Sequence, residues 1–142
     1  MSNVALHDLN KSFGKVRPDV LLTSIDGRVQ VPVDAKYKDY GNAKLSPSDV
    51  YQGAVYALTL AKTSWPRDVP TCVVLHPCAT ATTTRQRVQV RVGGAGIAEV
   101  DAIGVPVDDL LDKLPSVDRT WLASQPWYST IARLLVPAAY VA

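Results

Sequence analysis

The stretch Arg28-Val29-Gln30-Val31-Pro32-Val33-Asp34-Ala35-Lys36-Tyr37 decides the fold. Val29, Val31, Val33, Ala35 and Tyr37 fall on one side of an extended chain, and Arg28, Gln30, Asp34 and Lys36 on the other. A two-residue period of this kind predicts a strand. Pro32 within it predicts an edge strand or a bulge, because proline has no N–H to give to a ladder. Just upstream, Asp26-Gly27 is a two-residue hairpin signal, and Val16, Val20 and Leu22 supply the incoming strand. With Asp26 and Gly27 as the loop, Ile25 pairs with Arg28. Counting outward, Asp19 lands opposite Asp34.

Downstream, a loop through Gly41-Asn42 ends at Ser46-Pro47-Ser48-Asp49, which resembles a capping box: serine at the N-cap, proline at the first helical position, aspartate at N3. The helix is expected over roughly Pro47 to Lys62, with Val50, Ala54, Ala57, Leu58 and Ala61 as its apolar stripe. Trp65-Pro66 is the stop signal. Thr71 to Leu75 predicts a buried strand, Arg87 to Val92 an alternating one and Val100 to Val107 a further one. Val107 to Leu114 and Pro126 to Leu135 are short helix candidates. The order β-β-α-β-β-(β)-α implies an α/β sheet, or an α+β one, with one helix packed on it. No internal repeat is present, and Thr80 to Thr84 is a local threonine-rich turn.

The 142 residues predict one domain spanning 1–142. With 47% hydrophobic residues a core can form without disulfides or metal, and disorder or a disulfide scaffold is disfavoured. A net charge of +2 neither announces nor excludes nucleic acid, since a basic groove can sit on a nearly neutral body. Cys72 and Cys78 fit a reducing compartment, and no cleavable leader or membrane span is seen, so a soluble cytoplasmic protein is expected. Of the 13 acidic residues only Glu99 is glutamate.

The hairpin carries the chemistry. Two carboxylates facing each other across a sheet repel, unless a cation sits between them or one stays protonated. Asp34 and Lys36, two apart on a strand, share a face. Asp19, Asp34 and Lys36 should therefore converge. Hard oxygen ligands of this kind suit Mg²⁺, which takes one or two carboxylates and completes its shell with water and phosphate oxygens. A lysine beside such an ion can orient a water and neutralise charge developing on phosphorus.

Arg17-Pro18-Asp19-Val20 followed by Asp34-Ala35-Lys36 resembles the PD-(D/E)XK nuclease signature, and Gln52-Gly53-Ala54-Val55-Tyr56 matches the QxxxY motif of one branch of that superfamily. The wider context, Val33-Asp34-Ala35-Lys36-Tyr37-Lys38 and Ser48-Asp49-Val50-Tyr51-Gln52-Gly53-Ala54-Val55-Tyr56-Ala57, looks like the catalytic region of the McrC family. These are the nuclease subunits of 5-methylcytosine-dependent restriction systems. The resemblance covers about residues 13–110. It implies a restriction-endonuclease-like mixed sheet, with the site on a β-hairpin and a packed helix. Asp19, Asp34 and the Ala35 carbonyl would hold Mg²⁺ or Mn²⁺, Lys36 would position the attacking water, and Gln52 and Tyr56 would support the site by hydrogen bonding. The implied reaction is DNA phosphodiester hydrolysis leaving a 5′-phosphate. The implied partners are DNA, which can be methylated, and a McrB-like AAA+ GTPase that recognises the modified site. Many relatives place a glutamate on a helix ahead of the first strand and are longer. Here Asp8 is the only acidic residue before Asp19, so that N-terminal helix is expected to be missing. A truncated, catalytically impaired nuclease-fold module that binds DNA or protein, and a repair-type nuclease, are the alternative readings.

The remaining motifs are weaker. Cys72, His76 and Cys78 match no common zinc spacing and read as structural. Gly93-Gly94-Ala95-Gly96 lacks the lysine and serine or threonine of a P-loop and reads as a hairpin loop. Arg85, Arg87 and Arg91 fit a DNA-backbone path or a solvated face equally. Lys38 fits a phosphate contact or a plain surface lysine. Trp65, Trp121 and Trp127 read as core or interface residues, and His7 carries no signal.

Overall fold

A computed structural model describes residues 7–8, 11–12, 17–38, 40, 43–63, 69–79 and 85–136. The expected Gly41-Asn42 loop, the Trp65-Pro66 stop, the Thr80–Thr84 turn and the chain after residue 136 lie outside the described residues, as do the side chains of His7 and Asp8. The elements are β1 (His7–Asp8), β2 (Lys11–Ser12), β3 (Val20–Thr23), β4 (Gln30–Ala35), α1 (Pro47–Leu60), β5 (Thr71–Cys78), β6 (Arg85–Val92), β7 (Ala95–Pro106), α2 (Val107–Lys113), a 3₁₀ turn (Leu114–Ser116), α3 (Arg119–Ser124) and α4 (Pro126–Leu135). β1 and β2 pair with each other as a separate two-stranded sheet. The other five strands form one mixed sheet in the order β3-β4-β5-β7-β6. β4, β5 and β7 run parallel, flanked by antiparallel β3 and β6. The fold is thus mixed α/β, compatible with a restriction-endonuclease-like sheet. No helix precedes β3 among the described residues.

The hairpin register is the expected one: Val20 pairs with Val33, Leu21 with Pro32, Leu22 with Val31 and Thr23 with Gln30. The ladder ends at Val20 with Val33, and Asp19, just before it, reaches the end of β4 through its side chain. The loop itself differs. Ser24 N–H bonds Val29 O at 2.8 Å and Gly27 N–H bonds Ser24 O at 2.9 Å, so the loop is Ile25 to Arg28 rather than Asp26-Gly27 alone. Side chains explain the widening. Asp26 Oδ1 accepts from Ser24 Oγ and from Arg28 N, and Ser24 Oγ accepts from Val29 N. The loop gains one residue from each strand, so the register survives. Gly27 supplies the positive φ of +71° that the turn needs.

Pro32 marks neither an edge nor a bulge, because β4 is internal. Gln30 N–H reaches Lys62 O and Lys36 N–H reaches Leu75 O, so the even-numbered amides of β4 point away from β3. The ladder to β5 begins at Val33 with Val73, one residue after Pro32. The missing N–H therefore falls just outside that ladder.

Each face of the sheet has its own core. Val29, Val31, Val33, Val73 and Ile103 form one cluster, covered by Trp127, Ile131, Leu134 and Leu135 of α4. On the opposite face α1 packs Ala54, Tyr56 and Ala57 against Cys72 and Ala98, with Tyr40, Leu45, Val74, Val100 and Ala102 beside them. Helices thus cover both faces, where one had been expected. The buried face of α1 is also rotated from the expected stripe. Leu58 is exposed, and Gly53 and Tyr56 are buried instead. The cause is the close approach of helix to sheet at Gly53. A Cβ there would lie 2.9 Å from one Val100 methyl and 3.0 Å from the other.

Helix ends follow the local chemistry. Ser46 caps α1 by accepting from Asp49 N, with Pro47 at its first position. β5, β6 and β7 are longer than expected, and β6 and β7 join through Gly93-Gly94, both at positive φ, which supports the hairpin reading. α3 was not expected. Its signal was Asp118, whose side chain accepts from Trp121 N at 2.7 Å as an N-cap.

Candidate active site

The expected site residues meet where the C-terminal end of β4 passes under α1. Asp34 and Lys36 project from β4 toward the helix. Gln52 and Tyr56, one turn apart on α1, face them. Lys36 Nζ donates to Gln52 Oε1 at 2.5 Å, Gln52 Nε2 donates to Tyr56 Oη at 3.1 Å, and Tyr56 Oη donates to the Arg17 carbonyl at 2.8 Å. The QxxxY spacing therefore has a physical reading. It joins the β4 lysine to the backbone segment that leads into Asp19.

Asp19 is held independently. Its Oδ2 accepts the Ala35 N–H at 2.8 Å, taking up a donor that faces the β3 side at the end of the ladder. In a strand the N–H and C=O of one residue project to the same edge. The Ala35 carbonyl thus faces the edge on which Asp19 sits. Asp19 is exposed and Asp34 is buried, so the pair grades from solvent into the protein.

Asp34 is charge-paired: Lys36 Nζ lies 2.7 Å from its buried Oδ2. One ammonium balances one of the two carboxylates, and a divalent cation between Asp19, Asp34 and the Ala35 carbonyl would offset the second. Among the described residues no three His, Cys, Asp or Glu side chains gather as a metal cluster. Two carboxylates and a carbonyl fit an ion that keeps several waters, as Mg²⁺ does.

The electrostatics agree with the geometry. Burial would lower the Lys36 pKa, but the bond and charge of Asp34 and the charge of Asp49 outweigh it and raise the value, so Lys36 stays cationic. Burial and the Asp34 charge push Tyr56 up, so its phenol stays a donor. Burial, with Asp34 adding to it, pushes the Cys72 thiol up to about 12.

One residue at the site was missed. Asp49, read only as a helix-start residue, is buried and lies 3.7 Å from Lys36 Nζ and 3.2 Å from Lys38 Nζ, with Tyr40 Oη donating to it. Its position three residues before Gln52, on the same helical side, was the available signal.

The other motifs fall elsewhere. Arg85 makes paired bonds to the buried Asp101, and Arg87 bonds Glu99. Arg87 pairs with Asp101, which pairs with Val73, whereas Asp34 pairs with Val74. These arginines thus occupy the sheet face opposite Asp34 and do not line a path to it. Cys72, His76 and Cys78 are buried on the α1 side. Lys38 is tied to Asp49. Trp127 joins the α4 core and Trp121 is half-buried on α3; Trp65 lies outside the described residues. No helix among the described residues is long and apolar enough to cross a membrane.

The arrangement defines a class: a mixed α/β fold with a carboxylate–carboxylate–lysine cluster at the end of a central strand, buttressed by a helix-borne glutamine and tyrosine. Comparison with known proteins finds no matching family model, no matching curated protein and no matching solved structure.

Proposed function

We propose that the chain is a metal-dependent nuclease domain that hydrolyses DNA phosphodiester bonds, as the nuclease subunit of a modification-dependent restriction system. The observation that carries the reading is that Asp34, Lys36, Gln52 and Tyr56 are joined by one ion pair and a run of hydrogen bonds, with Asp19 bonded to the Ala35 N–H beside them. Asp19, Asp34 and the Ala35 carbonyl are the groups that would hold Mg²⁺ or Mn²⁺. When bound, such an ion supplies Lewis-acid polarisation of the phosphate and a more acidic attacking water.

The chain's own residues do the rest. Lys36 presents a fixed ammonium where negative charge grows on the phosphoryl oxygens, and its partners hold it there before substrate arrives. Gln52 accepts from one of the three donors of the Lys36 ammonium. Tyr56 anchors Arg17 and, through it, the approach of Asp19. In the reaction the water oxygen bonds to phosphorus and the phosphorus–O3′ bond breaks. The 3′ oxygen gains a proton and the phosphate stays on the 5′ side.

The test is incubation of the full chain with DNA and Mg²⁺ or Mn²⁺, with and without a McrB-like GTPase, beside Asp34→Ala and Lys36→Ala. Metal-dependent cleavage lost in both variants supports the reading, and cleavage that survives both overturns the site. Equal cleavage of methylated and unmethylated DNA without any GTPase would point to a repair-type nuclease instead. DNA binding indifferent to metal, with no cleavage, would point to a binding module.

A further inference from the structure

Lys36 has a second anionic neighbour that neither motif contains. Asp49 sits at the third position of α1, where a capping-box acid would turn back to the N-cap backbone. Instead its side chain is aimed inward, with 8% of its surface exposed. One oxygen faces Lys36 Nζ at 3.7 Å, and the other takes Tyr40 Oη and Lys38 Nζ. Tyr40 is itself immobilised. Its N–H meets His76 Nδ1 at 3.4 Å, its ring stands edge-on to His76, and Gln86 Nε2 bonds its carbonyl at 2.6 Å. Asp49 is therefore the outer end of a braced chain running from β5 and β6 through Tyr40.

An ammonium has three donors. Around Lys36 Nζ stand Asp34 Oδ2 at 2.7 Å, Gln52 Oε1 at 2.5 Å and Asp49 Oδ1 at 3.7 Å. With Asp34 and Gln52 alone, a flexible four-carbon stem keeps freedom to swing. We infer that Asp49 is a positioning residue for Lys36: its charge, held by Tyr40, fixes the ammonium beside Asp34. The inference rests on the nuclease reading for its consequence in catalysis, but not for its consequence in structure.

The test uses Asp49→Asn, which keeps the shape and removes the charge, in the full chain. The first readout is the side-chain ammonium signal of Lys36 in ¹⁵N-lysine-labelled protein, assigned by its loss in Lys36→Arg. A slowly exchanging signal in the parent that disappears in Asp49→Asn, with backbone amide spectra otherwise unchanged, supports the inference. Retention of that signal overturns it, as does failure to see it in the parent. Tyr40→Phe should weaken the signal in the same sense while leaving Asp49 charged, and it keeps the inference testable if Asp49→Asn does not fold. The second readout is DNA cleavage. A positioning role lowers kcat by about 10–100-fold with KM for DNA little changed, whereas a merely structural role lowers Tm and leaves kcat per folded molecule intact. If the parent cuts no DNA, the nuclease reading fails and the ammonium signal still decides the role of Asp49.

Discussion

Replacing Tyr56 by phenylalanine removes one oxygen and separates the two halves of the site. That oxygen donates to the Arg17 carbonyl and accepts from Gln52 Nε2. Each neutral hydrogen bond contributes roughly 0.5–1.5 kcal/mol net, so the two together contribute about 1–3 kcal/mol. The lower half of that range is expected, because Arg17 is exposed and its carbonyl can bond water. Burial and the Asp34 charge raise the Tyr56 pKa, so the donor is present throughout the neutral range and the effect should not depend on pH there. The stability loss alone would fit any buried tyrosine. The distinguishing effect is on metal. With Arg17 released, the segment carrying Asp19 loses its tie to α1, and the free-energy cost of bringing Asp19 to the ion is charged to binding. Tyr56→Phe should therefore weaken Mg²⁺ binding, measured by calorimetry, by about 10-fold or more, as loss of a supporting partner behind a metal ligand does. Urea unfolding measures the stability part separately. If the variant loses stability but binds Mg²⁺ like the parent, the tyrosine is only a packing residue and the account of the QxxxY spacing is wrong.

Three other outcomes follow from the same geometry. Gly53→Ala should destabilise the protein by about 1–3 kcal/mol in urea unfolding. The buried, branched Val100 stands 2.9 Å from the new methyl, which outweighs the roughly 1 kcal/mol that alanine gains as a helix former. Saturating Mg²⁺ should raise Tm in the parent but not in Asp34→Ala, with about 2.7 kcal/mol of stabilisation at a hundredfold excess over Kd, and chelation with EDTA should reverse it. For Asp49, burial works to raise the pKa. Hydrogen bonds from Tyr40, Ser46 and Lys38, with the Lys36 charge, outweigh it and hold the folded value below 3.8. Its contribution is then present above the unfolded pKa and lost as pH falls through the folded one. Asp49→Asn should thus be less stable than the parent at pH 7, and the gap should close in denaturation series taken below about pH 4.

How legible the site was depends on the range of the interactions that make it. The hairpin register follows from local alternation and a turn, so the Val20–Val33 pairing that leads up to Asp19 and Asp34 is the expected one even though the loop proved longer. The widening came from Ser24 and Asp26 side chains bonding backbone, which is local chemistry but symmetric, and symmetric errors cancel in register. Pro32 misled because a proline's meaning depends on which strand lies beside it. The ladder partner, Val73 opposite Val33, is 40 positions away and invisible to a window. The rotation of α1 misled for a related reason. Hydrophobicity favours Leu58 as a core residue, while the real contact is set by the smallest residue on the helix meeting Val100. A stripe counted by apolarity skips a glycine. Arg85 and Arg87 show the same limit in charge. Their partners, Asp101 and Glu99, are cross-strand or diagonal neighbours on a β7 that alternation alone did not extend back to Glu99. Asp49 is the most instructive case. A helix-start acid has an ordinary local role, and only the arrival of Tyr40 and two β4-side lysines in three dimensions gives it another. Motif spacing finds residues that act through their own positions on one element; residues that act by holding another side chain emerge only once the elements are packed.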